Sequence, residues 1–294
     1  VAQPEADVET FNAIILGIVE GLTEFLPVSS TGHMILVEQL LHIDGSQAPW
    51  NVLLWVSQFA AILAVIVYFW RDLWRRIVTP LARFRRRPPF GSPAALRSPL
   101  GDVLRDHILT KLAAAMIPTV VLAVALKKYL DPLEQMPVAV AVALILGALA
   151  MEYIDRRFRR QIPQALEQVT LAQAFLIGVI QCLSMWPGVS RAAATIMGGM
   201  VLGLTPRVAT EFSFYLAIPT MLAAAVYTLG RHRHELAGAN IGLLLIGSAT
   251  AFVVALLVVA TFLGYVRRYR FTPFVVYRIV LGLAVLVCYF VGRG

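Results

Sequence analysis

Charge is scarce in this sequence: only 14% of its 294 residues are Asp, Glu, Lys or Arg, where soluble domains carry about 25%. With 59% hydrophobic residues and a mean hydropathy of +0.76, the chain has too little polar surface to cover a water-facing fold. A soluble globular class is excluded. Cysteine is nearly absent: Cys182 and Cys288 both lie in apolar stretches and share no metal-ligand or redox spacing, which rules out a disulfide framework. Zinc-finger spacing and aromatic-interleaved basic patches are missing too, so no nucleic-acid partner is expected despite the formal net charge of +8. Val1 to Thr10, with Glu5, Asp7 and Glu9, has no basic n-region and no small-residue cleavage site, so insertion is expected to rely on internal segments.

What is present is a series of long uncharged runs. A bilayer-crossing helix needs roughly 20 mostly apolar residues. Pro49 to Trp70, Ile108 to Leu126, Met136 to Ile154, Phe212 to Gly230, Leu236 to Val266 and Phe271 to Gly292 meet that requirement, giving six spans. Two further apolar regions, Val8 to Leu41 and Val169 to Gly203, are each broken by a proline followed by hydroxyl residues: Pro27-Val28-Ser29-Ser30 and Pro187-Gly188-Val189-Ser190. The segment after the first break, His33 to Leu41, rises only about 1.5 Å per residue and cannot cross a core of about 30 Å. Both regions therefore read as re-entrant helix pairs, over 8–44 and 169–205. Non-helical backbone at membrane depth is tolerated only where protein buries it or it lines a watery cavity, so two breaks point to one shared polar cavity.

Loop charges set the sides. Of the 25 Lys and Arg, 17 fall on one side, in 71–111, 155–168 and 264–272, against Lys127, Lys128, Arg231, Arg233 and Arg293 on the other. By the positive-inside rule the first side is cytoplasmic, with 71–111 a basic loop near anionic headgroups. The order is re-entrant pair, three spans, re-entrant pair, three spans, and an odd span number inverts the second copy. Residues 1–168 and 169–294 are thus expected to be two inverted repeats. Gly17-Ile18-Val19-Glu20-Gly21-Leu22 also resembles Gly178-Val179-Ile180-Gln181-Cys182-Leu183. The fold class expected is an all-α polytopic membrane protein of six transmembrane helices plus two re-entrant pairs in an inverted-topology repeat, its site near the midplane.

Ionisable groups at that depth are costly and usually functional. Glu20 and Glu24, four residues apart, project from one helix face. Like charges so close repel unless a divalent cation or a proton lies between them. Ser29, Ser30 and Thr31 follow at the break, with His33 three residues after Ser30, where its imidazole could take the Ser30 proton. The same hydroxyls would serve as an N-cap. At the second break, Arg191 stands between an uncharged run of 23 residues and one of 15. Its planar fork suits phosphate oxygens, with Gly188 permitting the turn and Ser190 and the helix start completing an oxyanion cradle. Glu211 and Arg278, also in apolar surroundings, are read as interhelical pairing groups. Carboxylates, hydroxyls, an imidazole and an arginine meeting at two broken helices fit phosphoryl chemistry on a substrate whose tail stays in lipid.

At these residues the sequence resembles the undecaprenyl-diphosphate phosphatase family, the bacitracin-resistance type. The two motifs that carry the likeness run from Glu20 to His33 (EGLTEFLPVSSTGH) and from Pro187 to Thr195 (PGVSRAAAT), and the resemblance spans essentially the whole chain. It implies a multi-pass enzyme of the bacterial inner membrane, its site open to the periplasmic side, that removes one phosphate from undecaprenyl diphosphate. That reaction recycles the lipid carrier for peptidoglycan synthesis and confers bacitracin resistance. It also implies a divalent cation, Mg²⁺ or Ca²⁺, with Glu20 and Glu24 resembling the acids that hold it or handle protons. By motif position Glu20, Glu24, Ser30, His33 and Arg191 look catalytic, with Ser30 the candidate nucleophile and His33 its base or the leaving-group acid. Arg191, with Ser190 and Thr195, resembles the diphosphate clamp, and Ser29, Thr31 and Gly188 complete the substrate-binding set. Ala192 stands where the family usually has serine. The partners implied are the polyprenyl diphosphate lipid and the bilayer; a homodimer is also allowed. The residues by themselves leave open whether Ser30, His33 or water attacks. An alternative function on the same architecture is a polyprenyl-phosphate transporter or flippase, which would hold the lipid phosphate without cleaving it.

Overall fold

A computed structural model describes residues 3–45, 48–85, 107–130, 136–160, 162, 164–237 and 240–291. Among the described residues the chain is helical, with no strand. Its elements are α1 (Gln3–Thr23), α2 (Ser30–Leu41), α3 (Trp50–Arg85), α4 (Ile108–Leu130), α5 (Pro137–Phe158), α6 (Leu171–Gln181), α7 (Arg191–Val201), α8 (Pro206–Arg231), α9 (Arg233–Ala237), α10 (Ile241–Arg268) and α11 (Thr272–Val291). Six of these, α3, α4, α5, α8, α10 and α11, are long and apolar enough to cross a membrane, matching the six expected spans. Several boundaries shift by a few residues, α8 starting at Pro206 and α10 at Ile241, and one shifts by much more. The α3 helix continues past Trp70 to Arg85, because its polar extension finds partners: Asp72 accepts from Arg75 and Arg76 one turn on. The first part of the expected basic loop is therefore helix, and 86–106 lies outside the described residues.

Local chemistry sets the helix ends. Pro137 and Pro206 occupy first-turn positions, where a missing N–H costs nothing. The Thr170, Thr205 and Asn240 side chains accept N–H bonds at the starts of α6, α8 and α10. At the end of the bundle rich in basic residues, Arg76 binds Asp72, Glu167 and Glu211, tying α3 to α8. Glu211 is thus an interhelical pairing group, as its apolar surroundings led one to expect. Arg159 bonds Asp155 and the carbonyls of Val266 and Tyr269, closing α5 onto the α10–α11 turn.

Two helices pack unusually close to their neighbours. The first broken helix, α1, lies along α10, and α6 lies along α4. A Cβ on Gly17 would come within 2.3 Å of the Gly247 carbonyl oxygen, and one on Gly178 within 2.0 Å of that of Ala115. Only glycine admits these approaches. Further along α1, Gly21 sits against Ala251 and Ala255, at mid-length of α10, so α1 ends half-way along that helix. Beneath its end, buried Phe25 meets Phe214 edge-on at 5.8 Å, in an aromatic cluster with Phe69 and Phe262.

Gly178→Leu is expected to lower the thermal unfolding midpoint in detergent, by a destabilisation on the order of 1–3 kcal/mol from overpacking. Gly230→Leu, at a position with nothing within 4 Å, should leave the midpoint unchanged.

Candidate active site

Two breaks meet inside the bundle. After α1 the chain turns over residues 24–29, where Ser29 takes a left-handed φ of 73° before α2 begins. After α6 a short 3₁₀ turn (Cys182–Met185) leads to Pro187 and Gly188, the latter at φ 90° with no room for a side chain: a Cβ would lie 2.5 Å from the Val140 carbonyl oxygen. Arg278 joins the two. This fully buried guanidinium donates to the carbonyls of Pro27 (3.1 Å) in the first break and Gly188 (3.3 Å) in the second, and to Leu144 (3.3 Å) and Ala143 (3.4 Å) on α5. Arg278 thus pairs between helices as expected, its partners being carbonyls: two from the breaks, which lack helical N–H partners, and two from α5 take four of its five N–H donors. Ser190 adds a second tie, accepting from Ala193 N–H to cap α7 while its hydroxyl donates to the Leu26 carbonyl at 3.4 Å.

Glu24 is the hub. Its Oε2 accepts from the Ser30 hydroxyl at 2.9 Å, and its Oε1 lies 3.5 Å from Arg191 Nη2. Arg191 Nη2 also lies 3.5 Å from the Glu24 carbonyl and the guanidinium stands 5.8 Å from the Phe25 ring centre, while its Nε and Nη1 are buried without a hydrogen-bond partner, as is Glu20 Oε1. Glu20 and Glu24 are buried, 5% and 9% exposed. The groups surround a polar cavity of about 260 Å³, whose walls include Ser29, Ser30, Thr31, Ser190 and Arg191. A larger cavity of about 1290 Å³ begins at Glu20, Ser30 and Thr31. It reaches Glu38, Asp44 and Val291 at the end of the bundle opposite the basic one.

Three of the expected site residues do not line the cavities. His33 does not meet Ser30: its Nδ1 is 2.7 Å from the Ser29 carbonyl and its Nε2 2.7 Å from the Tyr277 hydroxyl, with the two rings stacked. A carbonyl can only accept, so Nδ1 carries a proton, and no ring nitrogen is left for Ser30; Glu24 takes that place. Thr195 is not in the cavity wall. Its hydroxyl is bound to the Arg191 and Ala192 carbonyls and to Ser213 at 2.6 Å, so it braces α7 from behind. Gly188 likewise shapes the turn instead of facing the cavity. Ser29, the residue before α2, makes no side-chain cap there, so the hydroxyl capping expected at the first break occurs only at the second.

The sequence reading missed Gln58, Thr119, Gln181 and Thr220, which line the polar cavity, and Tyr277. Two of them had a signal. Thr119 and Thr220 each follow a proline inside a spanning helix, Pro118 and Pro219, where the missing N–H frees a carbonyl and loosens the turn.

An all-helical, multi-pass membrane protein with a buried, arginine-bearing polar cavity at two helix breaks is the class that fold and site define. The family profile described as "Bacitracin resistance protein BacA" matches residues 13–284. A protein of Novosphingobium aromaticivorans named undecaprenyl-diphosphatase is 45% identical over 279 residues, covering 93% of this chain and 96% of that one. One of Rhizorhabdus wittichii with the same name is 42% identical over 281 residues, covering 96% and 98%. The chain belongs to the BacA family.

Replacing Arg278 by Met, similar in reach but without donors, strands carbonyls in both breaks at roughly 1–3 kcal/mol each. A fall in thermal stability on the order of 3 kcal/mol is expected by unfolding in detergent.

Proposed function

We propose that this protein hydrolyses undecaprenyl diphosphate to undecaprenyl phosphate and inorganic phosphate, recycling the carrier lipid for peptidoglycan synthesis and thereby conferring bacitracin resistance. The observation that carries this reading is Arg191, a buried guanidinium with two nitrogens unpartnered, beside a serine already bonded to a carboxylate. Among the described residues no group accepts from those two nitrogens, and a guanidinium suits the oxygens of a terminal phosphate. Both named relatives and the shared motifs support the same chemistry.

In the mechanism that this geometry supports, Ser30 Oγ attacks the terminal phosphorus and its proton passes to Glu24 Oε2. The bond from phosphorus to the bridging oxygen breaks, its electron pair leaving with the prenyl monophosphate. Glu24 hands its proton to that leaving oxygen and takes another from the water that cleaves the phosphoserine, and Ser30 is reprotonated as phosphate departs. Arg191 holds the phosphate in line while Ser190 caps the helix that carries it, and most of the rate gain is positioning and charge neutralisation. His33, engaged at both nitrogens, fixes the Ser29–Ser30 turn.

Glu20 and Glu24 are oxygen donors of the kind a hard divalent cation takes, and the unpartnered Glu20 Oε1 gives such a cation a contact. Among the described residues no group of three or more His, Cys, Asp or Glu gathers as a metal site. Water and phosphate oxygens would complete the shell, the usual arrangement for Mg²⁺. When bound, Mg²⁺ or Ca²⁺ would neutralise charge on the phosphate oxygens.

The inverted repeat of 1–168 and 169–294 is part of the same reading. Pairing α1 with α6, α2 with α7, α3 with α8, α4 with α10 and α5 with α11 turns the α1–α10 packing into the α6–α4 packing and carries the α5–α11 packing onto itself. Gly17 and Gly178, aligned by the sequence repeat, make the matching close approaches. The end of α1 half-way along α10 supports re-entrant pairs with breaks near the midplane. With the basic end cytoplasmic, the large cavity opens toward the periplasmic face of the inner membrane.

The test is phosphate release from a long-chain polyprenyl diphosphate by the purified protein, with Mg²⁺ and with chelator. Arg191→Lys should lower turnover at least about 100-fold despite the retained charge, because the fork is lost. Near-normal release would remove the clamp. Glu24→Gln should both slow release and flatten the Mg²⁺ titration. Ser30→Ala should abolish release; substantial residual turnover would make water the attacking group. Binding of the lipid without any release would favour the flippase, in which the same residues carry the phosphate intact.

A further inference from the structure

A second cavity, of about 510 Å³, lies between α5, α6 and α7, within the roughly 300–1,000 Å³ typical of small-molecule sites. Its walls are hydrocarbon: Leu146, Met151 and Ile154 from α5, Ile180 from α6, Met197 and Val201 from α7. It opens sideways, where Leu146 and Leu183 are 61% and 63% exposed. Along α5 it extends from Val142 to Ile154, about 18 Å at roughly 1.5 Å per residue.

This groove adjoins the polar cavity. Val189 lines both, and the next two residues, Ser190 and Arg191, face the polar side. Val189 is therefore a wall shared by the cradle's cavity and the groove. Arg278, which fixes both breaks, also forms part of the groove wall.

We propose that the groove binds the head-proximal isoprenoid units of the polyprenyl tail while the diphosphate occupies Arg191. This rests on the diphosphatase reading above. A head group held at the breaks has two ways to lead its tail out. The large cavity has apolar walls such as Met34, Leu54 and Val287, but Glu20, Glu38 and Asp44 interrupt them, whereas the groove's walls are apolar throughout apart from Arg278. The groove runs the other way, toward the basic end, and each Å² of chain it covers is worth about 25 cal/mol. The tail therefore leaves along α5 and α7 into the half of the bilayer away from the polar mouth.

Two measurements on the full chain test this. In nanodiscs, a polyprenyl diphosphate carrying a diazirine in an isoprene unit near the head should label peptides of α5 and α7. Unlabelled polyprenyl diphosphate should suppress that label and excess phospholipid should not. Label on α1 and α10, or label displaced by phospholipid alone, would overturn the proposal, the second outcome making the groove an ordinary lipid contact. In kinetics, Ala150→Trp places bulk at the groove wall, whereas Leu149→Trp places it on α5 at an exposed position outside the cavity. Ala150→Trp should raise KM for the long-chain substrate about tenfold through lost apolar burial, with kcat and inhibition by inorganic diphosphate unchanged. Equal KM values in the two variants would overturn the groove as a tail site. If the unaltered protein releases no phosphate at all, the diphosphatase reading fails, and the labelling still decides where the tail lies.

Discussion

The structure depends on one cation that faces no anion. Arg278 sits in the middle of an apolar helix, fully buried, and spends its donors on four backbone carbonyls. Breaking a helix inside a membrane exposes carbonyls that neither lipid nor a neighbouring turn can satisfy. Breaking two and bringing them together doubles the problem. A guanidinium is the side chain best suited to solve it, since it offers five donors in one plane and remains charged when buried. By holding Pro27 and Gly188 at once it sets how far apart the two breaks stand, and so sets the separation of Glu24 and Ser30 on one from Arg191 on the other. Tyr277, the preceding residue, holds His33. One turn of α11 therefore positions both sides of the cavity without lining the polar part of it.

Within that frame the electrostatics are deliberately incomplete. Arg191 reaches Glu24 only at 3.5 Å and keeps two donors unpartnered, while Glu20 keeps an unpartnered acceptor. A buried group without a partner costs free energy that a purely structural pair would have recovered. A phosphate would satisfy the arginine, and a cation would satisfy the acid. Contrast the basic end of the bundle, where Arg76 is surrounded by three carboxylates and holds helices together. The same residue type ties helices together where its donors are filled and leaves donors open toward the cavity where they are not.

Much of this was legible in the chain itself. The six spans follow from run length and hydropathy, and the breaks from Pro27 and Pro187, each followed by hydroxyl residues and, at the first, by a segment too short to cross the bilayer. The grouping of Glu20, Glu24, Ser30 and Arg191 followed from the cost of charge at depth. Covalent order misled at His33: three residues from Ser30 it looked like that residue's base, yet a left-handed Ser29 turns the chain so that the imidazole meets Ser29's own carbonyl and a tyrosine 244 positions away. Thr195, one helical turn from Arg191, faces Ser213 for the same kind of reason: the side of α7 on which a hydroxyl falls depends on which helix packs there.

The sequence by itself determined the solvent, the number of spans, the places where helices break and the chemistry available at each break, because hydropathy, proline and buried charge act locally along the chain. Only the tertiary structure decided which groups meet. Glu24 receives Ser30 and Arg191, Arg278 binds carbonyls instead of an acid, and an apolar groove touches the polar cavity across Val189. Those pairings join residues between 6 and 251 positions apart, and they are set by how α5, α7 and α11 pack, which no single stretch of sequence encodes.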